Sequence, residues 1–295
     1  MTTDKKITLA KYAGFCYGVK RAVETVKKIK TENPDKEVYV LGELIHNNQV
    51  ISELKSYGIN SFDKLPDKGN GICVIRSHGE SPEVFDAIEK AGFEIYDLTC
   101  PDVKKVQQKA IELVKEGYYL IIVGKEEHPE VVAIKANALQ HGKNVLVATK
   151  TETLKNYEKE LKEHKKIGVV VQTTQTSATL IPIINYLSTI SKELHIANTI
   201  CPSTSMRQNE VVQLAKENDL MIIVGSKKSA NTTHLADISK EYTNTIHLET
   251  AQELKQYKEV IVKAKSIGIS AGASTPQNVI DNVIAAINED VNRIQ

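Results

Sequence analysis

A threefold internal repeat constrains this 295-residue chain more than any other feature. Three cysteines, Cys16 in AGFCYG, Cys100 in DLTCP and Cys201 in NTICP, each precede a stretch with apolar residues at spacings of three and four. After Cys16 these are Val19, Ala22, Val23, Val26 and Ile29. After Cys100 they are Val103, Val106, Ala110, Leu113 and Val114, and after Cys201 they are Met206, Val211, Leu214 and Ala215. Such spacing predicts an amphipathic helix just beyond each thiol. Two short apolar runs of β-branched type follow each helix, and each run ends in a polar loop before another helical stripe. They are VYVLGELIHNNQV and GICVIRSHGESPEV, then YYLIIVGKEEHPEV and IGVVVQTTQTSA, then LMIIVGSKKSANTT and SIGISAGASTPQNV.

The spacing is nearly constant. From each cysteine to the first strand-end polar residue, His46, His128 or Ser229, the distance is 30, 28 and 28 residues. To the second, His78, Thr173 or Ser274, it is 62, 73 and 73. A period this regular predicts duplication, and strands alternating with helical stripes predict mainly parallel sheets with helices on their faces. The expected fold is α/β, with three small pseudo-symmetric domains at residues 1–97 (Cys16), 98–196 (Cys100) and 197–295 (Cys201). Ligands of such sheets gather at the carboxyl ends of the strands. If the three domains turn those ends to one centre, three thiols meet six loops carrying His46, His78, His128, Thr173, Ser229, Asn231 and Ser274, with Glu130 just after HP.

Composition narrows the chemistry. Lys and Arg total 38 against 37 Asp and Glu, so net charge gives no reason to expect a nucleic-acid or membrane-surface partner. No apolar run reaches the length of a membrane span, and MTTDKKITLA lacks a signal-like apolar stretch, so the expected location is the cytoplasm. That compartment keeps thiols reduced, which argues against the four cysteines forming a disulfide framework. Cys73, within GICVIRS, reads as part of a buried strand. The other three lie at helix N-termini, where backbone N–H groups and the helix dipole favour the thiolate, the form that binds metals.

Zinc with three cysteines and a fourth ligand is one possibility, although zinc ligands usually come in close pairs and here the gaps are 84 and 101 residues. Iron–sulfur clusters accept distant thiolates; three of them on a four-iron cluster leave one iron open to act on a substrate oxygen. The stretches GFCYGVKRAV, GELIHN, RSHG, DLTCP, HPEV, QTTQ, TICPSTSMRQ, VGSKKSANT and AGASTP occur in that order between about residues 10 and 280. Together they resemble the 4-hydroxy-3-methylbut-2-enyl diphosphate reductase family, which ends the methylerythritol phosphate route to isoprenoid precursors. The resemblance implies a trefoil of three α/β domains around a central 4Fe-4S cluster held by Cys16, Cys100 and Cys201. It also implies an allylic diphosphate substrate whose hydroxyl leaves as water, at the cost of two electrons and two protons, giving isopentenyl and dimethylallyl diphosphate. By the same resemblance Thr173 orients the hydroxyl and relays a proton, with His128 on the diphosphate side. Where many relatives read Ser-Ser-Asn, this chain has Ser229, Ala230 and Asn231, so one hydroxyl is replaced by a methyl group.

The residues make sense of these implications. No G-x-x-x-x-G-K-[ST] loop is present to cradle a diphosphate, so its oxygens must find the imidazoles of His46, His78 and His128, the hydroxyls of Ser229 and Ser274, and the Asn231 amide. Glu130 is the expected acid, kept protonated or readily reprotonated in a desolvated site. No G-x-G-x-x-G follows a strand, so electrons are expected from a ferredoxin or flavodoxin rather than from directly bound NADPH. A non-redox dehydratase with an open cluster iron, and a zinc-holding phosphate-ligand sensor, are the rival functions. The run TETLKNYEKELKEHKK, residues 151–166, reads as a solvated helix.

Overall fold

The computed structural model describes residues 5–292. The chain begins β1 (Lys6–Leu9), α1 (Tyr17–Glu32), β2 (Val38–Leu41), α2 (Asn48–Ser56), β3 (Ile59–Phe62), β4 (Ile72–Ile75), α3 (Pro82–Ala91) and β5 (Glu94–Asp97). It continues α4 (Pro101–Lys115), β6 (Tyr119–Val123), α5 (Pro129–Leu139), β7 (Val145–Ala148), α6 (Thr151–Lys155), α7 (Glu158–Glu163), β8 (Lys166–Val171), α8 (Ser177–Ile190) and β9 (Glu193–Ile196). The last part is α9 (Pro202–Glu217), β10 (Leu220–Val224), α10 (Ala230–Lys240), β11 (Asn244–Leu248), a 3₁₀ helix (Ala251–Tyr257), α11 (Lys258–Lys263), β12 (Ser266–Ala271) and α12 (Gln277–Asn292). Among the described residues no helix is long and apolar enough to cross a membrane.

The described strands form three four-stranded, wholly parallel sheets: β3-β2-β4-β5, β7-β6-β8-β9 and β11-β10-β12-β1. The order is the same each time, except that the last position in the third sheet is filled by the N-terminal strand β1. That position has a common consequence, because β1, β5 and β9 each lead directly to a cysteine: Cys16, Cys100 and Cys201. The two apolar runs found per repeat in the sequence are the two central strands of each sheet; β4, β6, β8, β10 and β12 are buried on both faces over most of their length, whereas Tyr39 and Leu41 of β2 are only partly buried. The flanking strands, such as EIYD, ELHI and KITL, are half exposed and mix charge with apolar residues, so no run announces them.

By chain contacts the molecule divides into two compact units, one made of residues up to Lys20, Ile45–Glu53 and Pro202 onward, the other of Arg21–Leu44 and Leu54–Cys201. The first contains the β11-β10-β12-β1 sheet. One of its faces packs Leu220, Ile222, Ile267 and Ile269 against Ile280, Val283 and Ile287 of α12; on the other, Met221 and Ile223 meet Val211, Leu214 and Leu235. The second unit contains the other two sheets. Tyr119, Ile121 and Val169 pack against Leu180, Ile183 and Leu187, while the alternate residues Leu120, Ile122 and Val170 pack against Val106, Ala110, Leu113 and Ile134. Burial of each such side chain contributes roughly 1.5–3 kcal/mol. In the sheet β3-β2-β4-β5, Cys73 is buried as expected, beside Ile75, Ile88 and Phe93, and burial pushes its thiol up to about 11.

Two expectations need correction. Met206 is 41% exposed, whereas Thr204, Arg207 and Gln208 are buried, so the inward face of α9 is partly polar. Residues 151–166 do not form one solvated helix. Leu154 and Leu161 turn inward and anchor two short helices, α6 and α7, and Lys166 already begins β8.

Candidate functional site

The three cysteines share one backbone setting. Cys100 donates its N–H to the Ser77 carbonyl, Cys201 to that of Thr173 and Cys16 to that of Ala273, each at 3.0 Å. These acceptors lie just beyond β4, β8 and β12, in turns closed by the same bond: Gly79 to Arg76, Gln175 to Gln172 and Thr275 to Gly272. Ser77, Thr173 and Ala273 are therefore counterparts. The sequence spacing paired Thr173 with His78 and Ser274, but the backbone places it one residue earlier in the turn. All three thiols are half-buried and outside any disulfide. Cys100 is the N-cap of α4, with Pro101 entering the first turn, and at Cys16 the Val19 N–H approaches Sγ at 3.5 Å, so a helix N–H group faces that sulfur.

In the second unit, β6 and β8 bring an acid to a hydroxyl. Glu130 is 1% exposed; Oε1 accepts the Thr173 N–H at 2.6 Å and Oε2 is 2.6 Å from Thr173 Oγ1. Burial raises the Glu130 carboxyl to about 7, and the two Thr173 bonds oppose that rise without cancelling it. Because Thr173 also receives the Cys201 N–H, a continuous path runs Glu130–Thr173–Cys201. His128 caps α5, with Nδ1 accepting the Glu130 N–H at 3.2 Å. A neutral His128 ring therefore carries its proton on Nε2. The ring of His78 lies edge-on to that of His128, with centroids 5.5 Å apart. Two residues that the sequence reading passed over also act here. Arg21 Nη2 donates to the Leu98 and Thr99 carbonyls at 3.2 and 2.7 Å, holding the approach to Cys100, and Asp102 Oδ2 accepts from Cys201 Sγ at 3.2 Å.

In the first unit, Ser229 caps α10, its Oγ accepting the Thr232 N–H at 3.4 Å. Asn231, two residues beyond the cap, is 4% exposed, and neither Nδ2 nor Oδ1 has a hydrogen-bond partner in the structure. The buried hydroxyls of Thr232 and Ser270 are likewise unbonded. Ser274 Oγ donates to the His46 carbonyl at 3.3 Å, one residue past the Ala273 carbonyl that receives Cys16. His46 itself stands just before the true cap of α2. Asn47 Oδ1 accepts from the Gln49 and Val50 N–H groups at 3.0 and 3.1 Å, a capping role the sequence reading did not assign. Arg207, buried within α9, bonds the Ser203 carbonyl at 2.9 Å and the Gly14 carbonyl at 2.7 Å, steadying the loop before Cys16. An arginine inside an otherwise amphipathic stripe was the available signal. Backbone approaches are close: a Cβ on Gly272 would sit 1.9 Å from Thr232 Oγ1, and Gly225 adopts φ +137° against Thr275.

The predicted residues are thus distributed between two sets. Cys100, Cys201, His78, His128, Glu130 and Thr173 gather in the second unit, and Cys16, His46, Ser229, Asn231 and Ser274 belong to the first. The donors fit the groups expected of them. Three thiols at helix N-termini, with no close cysteine pair among them, suit an iron–sulfur cluster better than structural zinc. The unbonded Asn231 amide suits a polyanion, because a buried polar group left unmade costs about 1–3 kcal/mol that a ligand can recover.

Comparison with known proteins agrees. Residues 7–288 match the family described as LytB protein. A 4-hydroxy-3-methylbut-2-enyl diphosphate reductase of Aquifex aeolicus is 42% identical over 285 residues, covering 96% of both chains, and that of Geobacter sulfurreducens is 40% identical over 290 residues, covering 98% of this chain and 99% of its own. A solved structure of (E)-4-hydroxy-3-methyl-but-2-enyl diphosphate reductase, the terminal enzyme of the non-mevalonate pathway, is 40% identical with a TM-score of 0.72 and covers 97% of this chain and 99% of its own. The Plasmodium falciparum E-1-hydroxy-2-methyl-but-2-enyl-4-diphosphate reductase is 26% identical with a TM-score of 0.87, over 95% of this chain and 87% of its own. With the match running nearly end to end, the chain belongs to the LytB protein family.

Proposed function

We propose that this chain is the reductase that converts 4-hydroxy-3-methylbut-2-enyl diphosphate to isopentenyl and dimethylallyl diphosphate. Cys16, Cys100 and Cys201 would hold its 4Fe-4S cluster. Bound there, the cluster supplies electrons and an iron that can polarise the leaving oxygen. Overall the substrate C–O bond is replaced by C–H, the oxygen leaves as water, and two electrons and two protons are consumed.

The protein's own part is to bind and to protonate. The Nε2–H of His128, the imidazoles of His46 and His78, the hydroxyls of Ser229 and Ser274 and the Asn231 amide donate to the diphosphate oxygens. Ser229 already uses an oxygen lone pair for the Thr232 N–H, which leaves its O–H for the ligand. Ala230 has only its backbone to offer. Glu130 holds the proton; Thr173 Oγ1, 2.6 Å away, passes it to the substrate hydroxyl and orients that group. Burial excludes water from the path, so the proton is not lost to solvent. A ferredoxin- or flavodoxin-type donor in the cytoplasm delivers the electrons.

The single observation that carries this reading is the Glu130–Thr173–Cys201 path, which joins an acid raised to about 7 to the backbone of a cluster ligand through one residue. The test is anaerobic oxidation of a reduced viologen by protein loaded with four irons, with and without the allylic diphosphate. Substrate-dependent oxidation is expected. Its absence in loaded protein would favour the non-redox dehydratase, and protein that takes up zinc instead would favour the sensor.

A further inference from the structure

Asp102 occupies the first turn of α4, against the Cys201 thiol, and Lys105 follows in the next turn. Asp102 Oδ2 lies 3.2 Å from Cys201 Sγ, and Asp102 Oδ1 lies 3.1 Å from Lys105 Nζ. In the ligand-free chain the carboxylate accepts the Cys201 S–H with one oxygen and the Lys105 ammonium with the other; when Cys201 binds iron as the thiolate that proton leaves, and the carboxylate's negative charge then stands beside the ligand sulfur. The Asp102 side chain is 29% exposed and that of Lys105 is 77% exposed, so the anion is screened from water more than the cation. Neither belongs to the proton path, and neither stands among the diphosphate donors. An acidic side chain is favoured in the first turn of a helix, where the dipole stabilises it.

Resting on the cluster reading above, we infer that Asp102 and Lys105 form a charge pair at the Cys201 sulfur that sets the reduction potential of the bound cluster. Charge and hydrogen bonding at ligand sulfurs are among the main determinants of such potentials. An anion touching the sulfur opposes the arrival of an electron and lowers the potential; Lys105 opposes Asp102 and raises it. Asp102 dominates because its oxygen is in contact with the sulfur, whereas the ammonium stands one carboxyl group farther away, in solvent. The pair therefore lowers the potential of the bound cluster.

The test is an anaerobic redox titration of loaded protein followed by electron paramagnetic resonance, with iron and sulfide analysis of every sample. Asp102→Asn should favour the reduced cluster about tenfold at a fixed donor potential, a positive shift of about 59 mV for one electron. Lys105→Gln should shift it the other way and by less, and this smaller shift should fade at high salt. Asp102→Glu, which keeps the charge, should titrate like wild type. A cluster present in Asp102→Asn with an unshifted or lowered potential overturns the inference, as does a Lys105→Gln shift of the same sign as that of Asp102→Asn. If Asp102→Asn fails to hold iron, Lys105→Gln decides alone, and an unshifted potential there overturns the pair. Wild-type protein that binds no iron overturns the functional reading and this inference with it.

Discussion

Replacing Glu130 by Gln separates a proton donor from a structural strut, because the amide can keep both contacts. Its oxygen accepts the Thr173 N–H, and its NH₂ donates to the Thr173 hydroxyl, whose rotor can turn to receive it. What is lost is the ionisable proton. With the carboxyl at about 7, the protonated share falls from about nine-tenths at pH 6 to about one-hundredth at pH 9. Turnover of the wild-type enzyme should fall along that limb, by about tenfold per pH unit above 7. Glu130→Gln should lose about 10²–10⁴ in kcat and show no alkaline limb near 7, with KM nearly unchanged. Stability carries a second signature. The native value lies above the unfolded value of 4.5, so the native state binds the extra proton between the two. Stability is full below 4.5 and declines by about 3 kcal/mol as pH rises through 7, a slope that Gln lacks. The assays are viologen oxidation from pH 6 to 9 and urea unfolding over pH 4–8. An alkaline limb near pH 7 that survives in Glu130→Gln would refute the reasoning.

Three further outcomes follow from side chains already placed. Asn231→Leu removes an unbonded amide from a buried site, so the ligand-free protein should gain about 1–3 kcal/mol in thermal or urea unfolding while losing affinity for inorganic diphosphate by calorimetry. Gly272→Ala drives a Cβ to 1.9 Å from Thr232 Oγ1; the turn whose Ala273 carbonyl receives the Cys16 N–H must shift, and iron content per chain should fall on reconstitution. Arg207→Met leaves the Gly14 carbonyl without its donor, at a cost of about 1–3 kcal/mol in unfolding free energy, and should slow cluster uptake; its effect on unfolding should add to that of Arg21→Met, whose carbonyl partners are Leu98 and Thr99.

The repeat, the central strands and the three cysteine helices were legible because each rests on a period. Val103, Val106, Ala110, Leu113 and Val114 are all buried on α4, as their spacing of three and four required. The flanking strands were not legible, because they are short and half exposed and gain their identity only from a neighbour that the sequence does not reveal. β1 shows this most clearly: its partner, β12, lies more than 250 residues away. Of the site, the types of residue could be read but not their connections. Nothing in HPEV says that Glu130 bends back to Thr173, and nothing in LTCPD says that Asp102 reaches Cys201 rather than solvent.

The same comparison explains why a threefold scaffold can carry a site that is not threefold. The repeat is one of backbone: an N–H from each cysteine, a carbonyl past each second central strand, and a capped helix after each first one. The caps are Asn47, His128 and Ser229, and the residue two beyond each is Gln49, Glu130 and Asn231. Their counterparts across the repeat are Ser77, Thr173 and Ala273. Only the middle repeat sets an acid against a hydroxyl, and there the carboxylate is satisfied within the protein and held near neutrality. In the third repeat the corresponding position, Ala273, has no hydroxyl to offer, and the Asn231 amide is left unbonded for a ligand. In the first, Gln49 is exposed and takes neither role. The three strand ends are alike in backbone, and the side chains at two positions in each leave an acid bonded to a hydroxyl in the middle one and an unbonded amide in the third.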